Sequence, residues 1–168
     1  PSKEDNTIRM ILNNVNGLRL FSDEGEKIGN IEATRKKYGA DVYFSVENWI
    51  QWDMAASNQK FDDLFGIGED RACSVGFNRH DRLSGAGKDG KVQPGGTSIL
   101  VTGRASGYAS QSRMDEDSLG MWCSIRLGTE TNATWLCCVY NPPESTKYRS
   151  LPSHRTYTVY SQRRRVLR

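Results

Sequence analysis

No run of apolar residues in this sequence approaches the roughly 20 needed for a membrane-spanning helix, so no membrane partner is expected. Histidine is scarce: there are two, His80 and His154. The four cysteines, Cys73, Cys123, Cys137 and Cys138, form no C-x-x-C pair. Structural zinc sites rely on paired ligand spacings, and these are missing. Cys123, Cys137 and Cys138 lie in apolar, strand-like runs and are expected to be buried free thiols, as in a reducing compartment. Charge of one sign is also lacking. The net charge is +3, from 23 basic and 20 acidic side chains, too mild a bias to identify a nucleic-acid partner by itself. Arg163, Arg164, Arg165 and Arg168 crowd the end of the chain and read as a solvated helix face. There is neither an initiator methionine nor a secretory signal core. The chain therefore reads as a piece of something longer, not secreted, and Asn132-Ala133-Thr134 is a chance match to a glycosylation acceptor.

What is present suits one globular domain. The 168 residues are enough for a single core, and four tryptophans with seven tyrosines bring large areas to bury. Hydrophobic spacing predicts strands over Thr7 to Asn14, Asp41 to Glu47, Ala72 to Phe77, Thr97 to Thr102, Met121 to Leu127 and Thr134 to Tyr140. Helices are predicted over Glu24 to Tyr38, in the later part of Trp49 to Phe65, and over Tyr157 to Leu167. Trp52, Ala55, Ala56 and Leu64 are the expected core positions of the second. Gly39 stops the first helix. Asp41 to Glu47 is almost continuously apolar, which suggests a βαβ-like unit with a strand buried on both faces. The polar, glycine- and lysine-rich stretch from Asn78 to Gly96 reads as a loop or a ragged hairpin. The pattern is that of a mixed α/β (α+β) layered domain.

Two segments invite chemical readings that their surroundings do not support. Gly85-Ala86-Gly87-Lys88-Asp89-Gly90 matches G-x-G-x-x-G, but no strand precedes it and no helix follows, so it reads as a turn. Asp115-Glu116-Asp117 reads as a solvated loop between strands.

Three strand ends say more. Asn14-Val15-Asn16-Gly17 closes the first strand, and strand ends are where α/β proteins gather ligands. Glu47 ends the second, otherwise apolar strand; a carboxylate there is either solvated or bound to a cation. Magnesium takes one or two carboxylates together with waters and phosphate oxygens. Tyr140-Asn141-Pro142-Pro143 ends a third apolar strand, where a tyrosine hydroxyl is able to donate to a phosphate. Each of these segments also has a plain structural reading, as a turn or as a strand terminated by proline.

Taken in order, these segments resemble the endonuclease/exonuclease/phosphatase superfamily, and within it the endonuclease domains of non-LTR retrotransposons. The resemblance is carried by Asn13-Asn14-Val15-Asn16-Gly17-Leu18-Arg19, similar to W-N-V-N-G-L-R, and by Ala40-Asp41-Val42 through Val46-Glu47, similar to A-D-[IV]…Q-E. It continues through Gly95-Gly96-Thr97, Leu119-Gly120-Met121-Trp122, Tyr140-Asn141-Pro142-Pro143 and Tyr157 to Arg165. It implies a two-sheet, four-layer α/β sandwich of the DNase I-like type. It further implies metal-dependent hydrolysis of nucleic acid, with DNA nicking inside the nucleus as the retroelement analogy. Glu47 would be the Mg2+ ligand, with Mn2+ as a substitute, and Asn16 would lie beside the metal. Asn14 would help hold the carboxylates or the phosphate. Tyr140 would contact the scissile phosphate or help activate the attacking water, with Asn141 as a further contact.

The sequence also departs from the family. Asn13 replaces a tryptophan, Pro143 stands where repair members carry a phosphate-contacting Asn, and Met121 stands where retroelement relatives often carry Arg. The later G-D-x-N and S-D-H segments do not occur before Arg168. The expectation is therefore a front portion, spanning residues 1–168, with little activity alone and a tendency to self-associate. A phosphatase on the same scaffold, and a non-catalytic remnant that binds nucleic acid weakly, remain as alternatives.

Overall fold

The computed structural model describes residues 6–18, 20, 26–50, 52, 55–65, 73–77, 96–115 and 121–140. Seven strands and two α-helices lie among them: β1 (Met10–Asn14), α1 (Glu26–Tyr38), β2 (Val42–Val46), α2 (Ala55–Phe65), β3 (Cys73–Phe77), β4 (Thr97–Val101), β5 (Ala109–Met114), β6 (Trp122–Gly128) and β7 (Ala133–Val139). A 3-10 helix, Gly103–Tyr108, joins β4 to β5. The strands form two sheets, one ordered β1-β2-β4-β3 and the other β5-β6-β7. β1 and β2 are parallel and are joined through α1, which is the βαβ-like unit expected from the sequence. The remaining pairings are antiparallel.

α1 forms where the sequence supplies both of its ends. Glu26 lies in the first turn, and Arg35, Lys36 and Lys37 lie in the last, each sign opposing the helix dipole. Gly39 then takes a left-handed φ of 57°. The Gly39 N–H donates to the Lys36 carbonyl and the Ala40 N–H to the Arg35 carbonyl, which is a Schellman closure. Only Ile28 and Ile31 of α1 are buried, so the helix is held by a narrow seam. Arg35 adds a polar tie: it grips Glu32 through two hydrogen bonds of 3.0 Å and donates to the Thr102 hydroxyl beyond β4 at 2.8 Å.

The first sheet is covered on both faces, which is why β2 and β4 bury every residue. On one face, Tyr43 and Leu100 meet Ile28, Ile31, Trp52, Phe61 and Phe65 of the helical layer. On the other, Val42, Phe44, Val46, Ile99 and Val101 meet Cys123, Ile125, Leu127, Leu136 and Cys138 of the second sheet. Fully burying an aliphatic side chain of this kind is worth about 1.5–3 kcal/mol, so this inter-sheet core holds the two sheets together. The described residues thus form helix, sheet and sheet layers. The helix expected over Tyr157 to Leu167, which would supply the fourth layer, lies outside them, as do the arginine cluster, Gly85 to Gly90 and both histidines.

Several expectations are corrected. Ala55 and Ala56 are exposed; α2 presents Ser57, Phe61 and Phe65 to the sheet, because these positions repeat every four residues along one face. Leu64 is partly buried at the margin, and Trp52 is buried as expected. Cys137 is exposed, since alternate residues of β7 point outward, whereas Cys123 and Cys138 are buried free thiols. Asp115 is not solvated: it is buried, and its carboxylate accepts the Met121 N–H at 3.2 Å, closing the loop between β5 and β6. β5 itself escapes the sequence reading because its residues are nearly all exposed and polar. The apolar residues of β1 hold a further surprise. Among the described strands β1 lies at a sheet edge, and Met10 and Leu12 remain 46% and 69% exposed there.

Candidate functional site

The end of β1 and the end of β2 lie side by side because the two strands are parallel and in register, with Asn14 opposite Val46. Their exits continue the pairing. The Val15 N–H donates to the Val46 carbonyl, the Gly17 N–H to the Glu47 carbonyl at 2.6 Å, and the Leu18 N–H to the Asn48 carbonyl at 2.7 Å. Asn14, Asn16 and Glu47 therefore share one corner of the first sheet. β4 is antiparallel to β2, so Thr97, opposite Val46, begins at the same end.

The second sheet brings the remaining residue. Cys138 of β7 faces the inter-sheet core, and its thiol donates to the Ser45 carbonyl at 3.5 Å. Two residues later the Tyr140 N–H donates to the Met121 carbonyl at 2.7 Å, which extends the β6–β7 ladder past the strand end. From there the Tyr140 hydroxyl donates to the Glu47 carboxylate. The partners are 93 residues apart in sequence and come from different sheets.

The backbone at this corner is unusual. Four non-glycine residues among those described have positive φ, and three of them are here: Asn16 at 44°, Glu47 at 55° and Trp49 at 57°. A left-handed conformation costs an L-residue about 1–2 kcal/mol, and such strain tends to collect at functional sites. Local contacts hold it. The Asn14 side-chain oxygen accepts the Asn16 N–H at 3.1 Å, an Asx turn. The Lys27 ammonium, from the start of α1, donates to the carbonyls of Asn16 and Gly17 at 3.0 and 2.8 Å. Gly17 has φ 84°, and the Trp49 ring lies so close that a Cβ at Gly17 would sit 2.8 Å from it. Asn48, fully buried, uses its side-chain oxygen to accept the Ile50 N–H at 3.2 Å.

The donor set suits a sparse magnesium site. Among the described residues no group of three His, Cys, Asp or Glu side chains gathers that would hold a metal. One half-buried carboxylate, Glu47, stands at an exposed rim beside the amide side chains of Asn14 and Asn16. Magnesium keeps most of its waters and uses one or two carboxylates, so Glu47 fits the role of a single protein carboxylate; zinc, with its compact set of sulfur and nitrogen ligands, does not suit this corner.

The structure thus gathers Asn14, Asn16, Glu47 and Tyr140 at one corner, and Asn141 lies outside the described residues. Sequence reasoning missed Lys27, which looked like part of a charged helix face, and also Asn48 and Trp49. The adjacency of Asn48 to Glu47 was its only sequence signal.

No family model matches this chain, and no curated protein matches it. Nine chains of solved structure do. One is the endonuclease domain of TRAS1, a telomere-specific non-LTR retrotransposon, at 13% identity and a TM-score of 0.43. The match covers 89% of the present chain and 52% of that one, so the chain spans only part of its length.

Proposed function

We propose that this chain carries the carboxylate-bearing part of a divalent-metal site for phosphodiester hydrolysis in nucleic acid, with DNA nicking as the reaction. The observation that carries the reading is the hydrogen bond from Tyr140 to Glu47 across the two sheets, at the corner shared with Asn14 and Asn16. A carboxylate at the end of an apolar strand, bonded by a tyrosine hydroxyl and held on left-handed backbone, is costly to build for packing alone.

In this reading Glu47 would hold Mg2+, with Asn16 beside it. Mg2+, when bound, supplies Lewis-acid polarisation of the phosphoryl oxygen and stabilises charge on the leaving oxygen. The Tyr140 hydroxyl holds the Glu47 carboxylate in place and, by the family resemblance, would contact the scissile phosphate. The Asn14 side chain fixes the turn that presents Asn16. The family resemblance gives proton transfer to its later Asp and His segments, with Tyr140 as a helper in activating the attacking water.

The test is binding of Mn2+, as a paramagnetic substitute for Mg2+, followed by electron paramagnetic resonance in wild type and Glu47→Gln. The expected result is saturable binding in wild type that Mg2+ displaces, that a short DNA duplex strengthens, and that Glu47→Gln loses at unchanged melting temperature. Equal Mn2+ affinity in the two proteins would refute the site. Strengthening by a simple phosphate monoester and not by DNA would move the substrate class to the phosphatases.

A further inference from the structure

The turn after β2 contains a side chain with no surface and no place in the chemistry above. Asn48 is fully buried, yet it lies between two residues of left-handed backbone, Glu47 and Trp49. A buried amide must find partners, and those it finds belong to the turn and to the sheet beneath it. Its oxygen accepts the Ile50 N–H at 3.2 Å, bridging across Trp49. Its nitrogen donates to the Ser45 hydroxyl at 3.5 Å, and that hydroxyl is paired with the Ser98 hydroxyl of β4 at 2.5 Å. Its own carbonyl accepts the Leu18 N–H from the β1 exit.

This buried chain of polar groups runs from β4 through β2 into the turn. It lies opposite the inter-sheet face on which Val46 packs. The turn cannot relax to an ordinary extended exit without breaking the Ile50 and Ser45 bonds and stranding a buried amide. Such a relaxation would also turn the Glu47 side chain away from Tyr140, because φ at Glu47 sets the direction in which its Cβ leaves the strand.

We propose that Asn48 is a positioning residue: its buried amide, backed by Ser45 and Ser98, locks the left-handed turn that aims the Glu47 carboxylate at Tyr140 and at the metal. The assignment rests on Glu47 being the metal ligand. It gives Asn48 no contact with metal or substrate. Groups that orient a metal ligand from behind typically change metal affinity about 10–100-fold when removed.

The experiment is a Mn2+ titration by electron paramagnetic resonance on the full chain, with a thermal melt of every variant, at a temperature where each is folded. Asn48→Ala is expected to weaken Mn2+ binding at least about tenfold. Ser45→Ala is expected to weaken it in the same direction, and the double variant by less than the product of the two. Leu127→Val, in the inter-sheet core near the end of β6 remote from Met121, lowers the melting temperature and is expected to leave affinity unchanged. That separates aiming of the carboxylate from general loss of stability. A folded Asn48→Ala protein with wild-type affinity, where Glu47→Gln has lost binding, overturns the inference. If Asn48→Ala does not fold, a folded Ser45→Ala with wild-type affinity overturns it equally. If Glu47→Gln binds Mn2+ like the wild type, the metal reading falls and this inference falls with it.

Discussion

Replacing Gly17 by alanine tests whether the β1 and β2 exits are built as tightly as their geometry indicates. Two costs combine. Gly17 has φ 84°, and an L-residue in the left-handed region costs about 1–2 kcal/mol. The new Cβ would also stand 2.8 Å and 3.0 Å from two ring atoms of Trp49. The ring is half-buried on a residue that is itself left-handed, so it has little freedom to retreat. Overpacking of this kind costs about 1–3 kcal/mol. Loss of glycine's freedom in the unfolded chain returns about 0.4–1 kcal/mol. The net expectation is a loss of about 1–5 kcal/mol, centred near 3, a fall in melting temperature on the order of 10 °C for a domain of this size. Two other glycines separate the contributions. Gly39 is left-handed at φ 57° with nothing within 4 Å, so Gly39→Ala should lose only the conformational part. Gly29 lies within α1, again with open space around it, so Gly29→Ala should gain about 0.5–1 kcal/mol. Thermal melts by circular dichroism, one variant at a time, give the order. The reasoning is refuted if Gly17→Ala melts no lower than Gly39→Ala.

Three further outcomes are expected. Tyr140→Phe keeps the ring against the inter-sheet core and removes only the hydroxyl on Glu47, so the melt should change little while Mn2+ affinity falls several-fold in the same titration. Leu12→Lys, at a position 69% exposed on a strand that is an edge among the described ones, should change stability by no more than about 0.5 kcal/mol. Light scattering should show any self-association reduced, and unchanged association would remove β1 from the contact. Although Cys137 points outward, partial desolvation of its sulfur, with a smaller contribution from neighbouring Cys138, raises its thiol above the ordinary value. The thiolate is the reactive form, so alkylation of Cys137 should keep accelerating as pH rises past the usual thiol range. Peptide mapping should find Cys137 modified ahead of the buried Cys123 and Cys138; the reverse order would contradict the outward register of β7.

Much of the architecture was legible because it rests on local patterns. The almost continuous apolar run of β2 announced a strand buried on both faces, and Gly39 announced the end of α1. β5 was not legible: its polar residues carry no alternation, and it is a strand because β6 offers it an edge. Asp115 looked solvated among its acidic neighbours, yet the loop closure that buries it depends on Met121, six residues on. Ala55 and Ala56 looked like core because they are apolar, but the phase of α2 is fixed by Phe61 and Phe65 against the first sheet.

The candidate site divides in the same way. The sequence by itself determined which strand ends carry polar groups, because an amide or carboxylate that interrupts an apolar run is visible in one dimension. Asn14, Asn16 and Glu47 were singled out as candidates in that manner, and Tyr140 as the hydroxyl at the end of an apolar strand. Only the tertiary structure decided that Tyr140 reaches Glu47 across 93 residues, that Lys27 clamps the Asn16-Gly17 turn, and that Asn48 is buried behind the carboxylate. The physical reason is that periodicity fixes which face of its own strand a side chain takes. Which residue of another sheet it meets depends on how the two sheets pack, and the buried residues of their inter-sheet core come from four separate strands and the 3-10 helix.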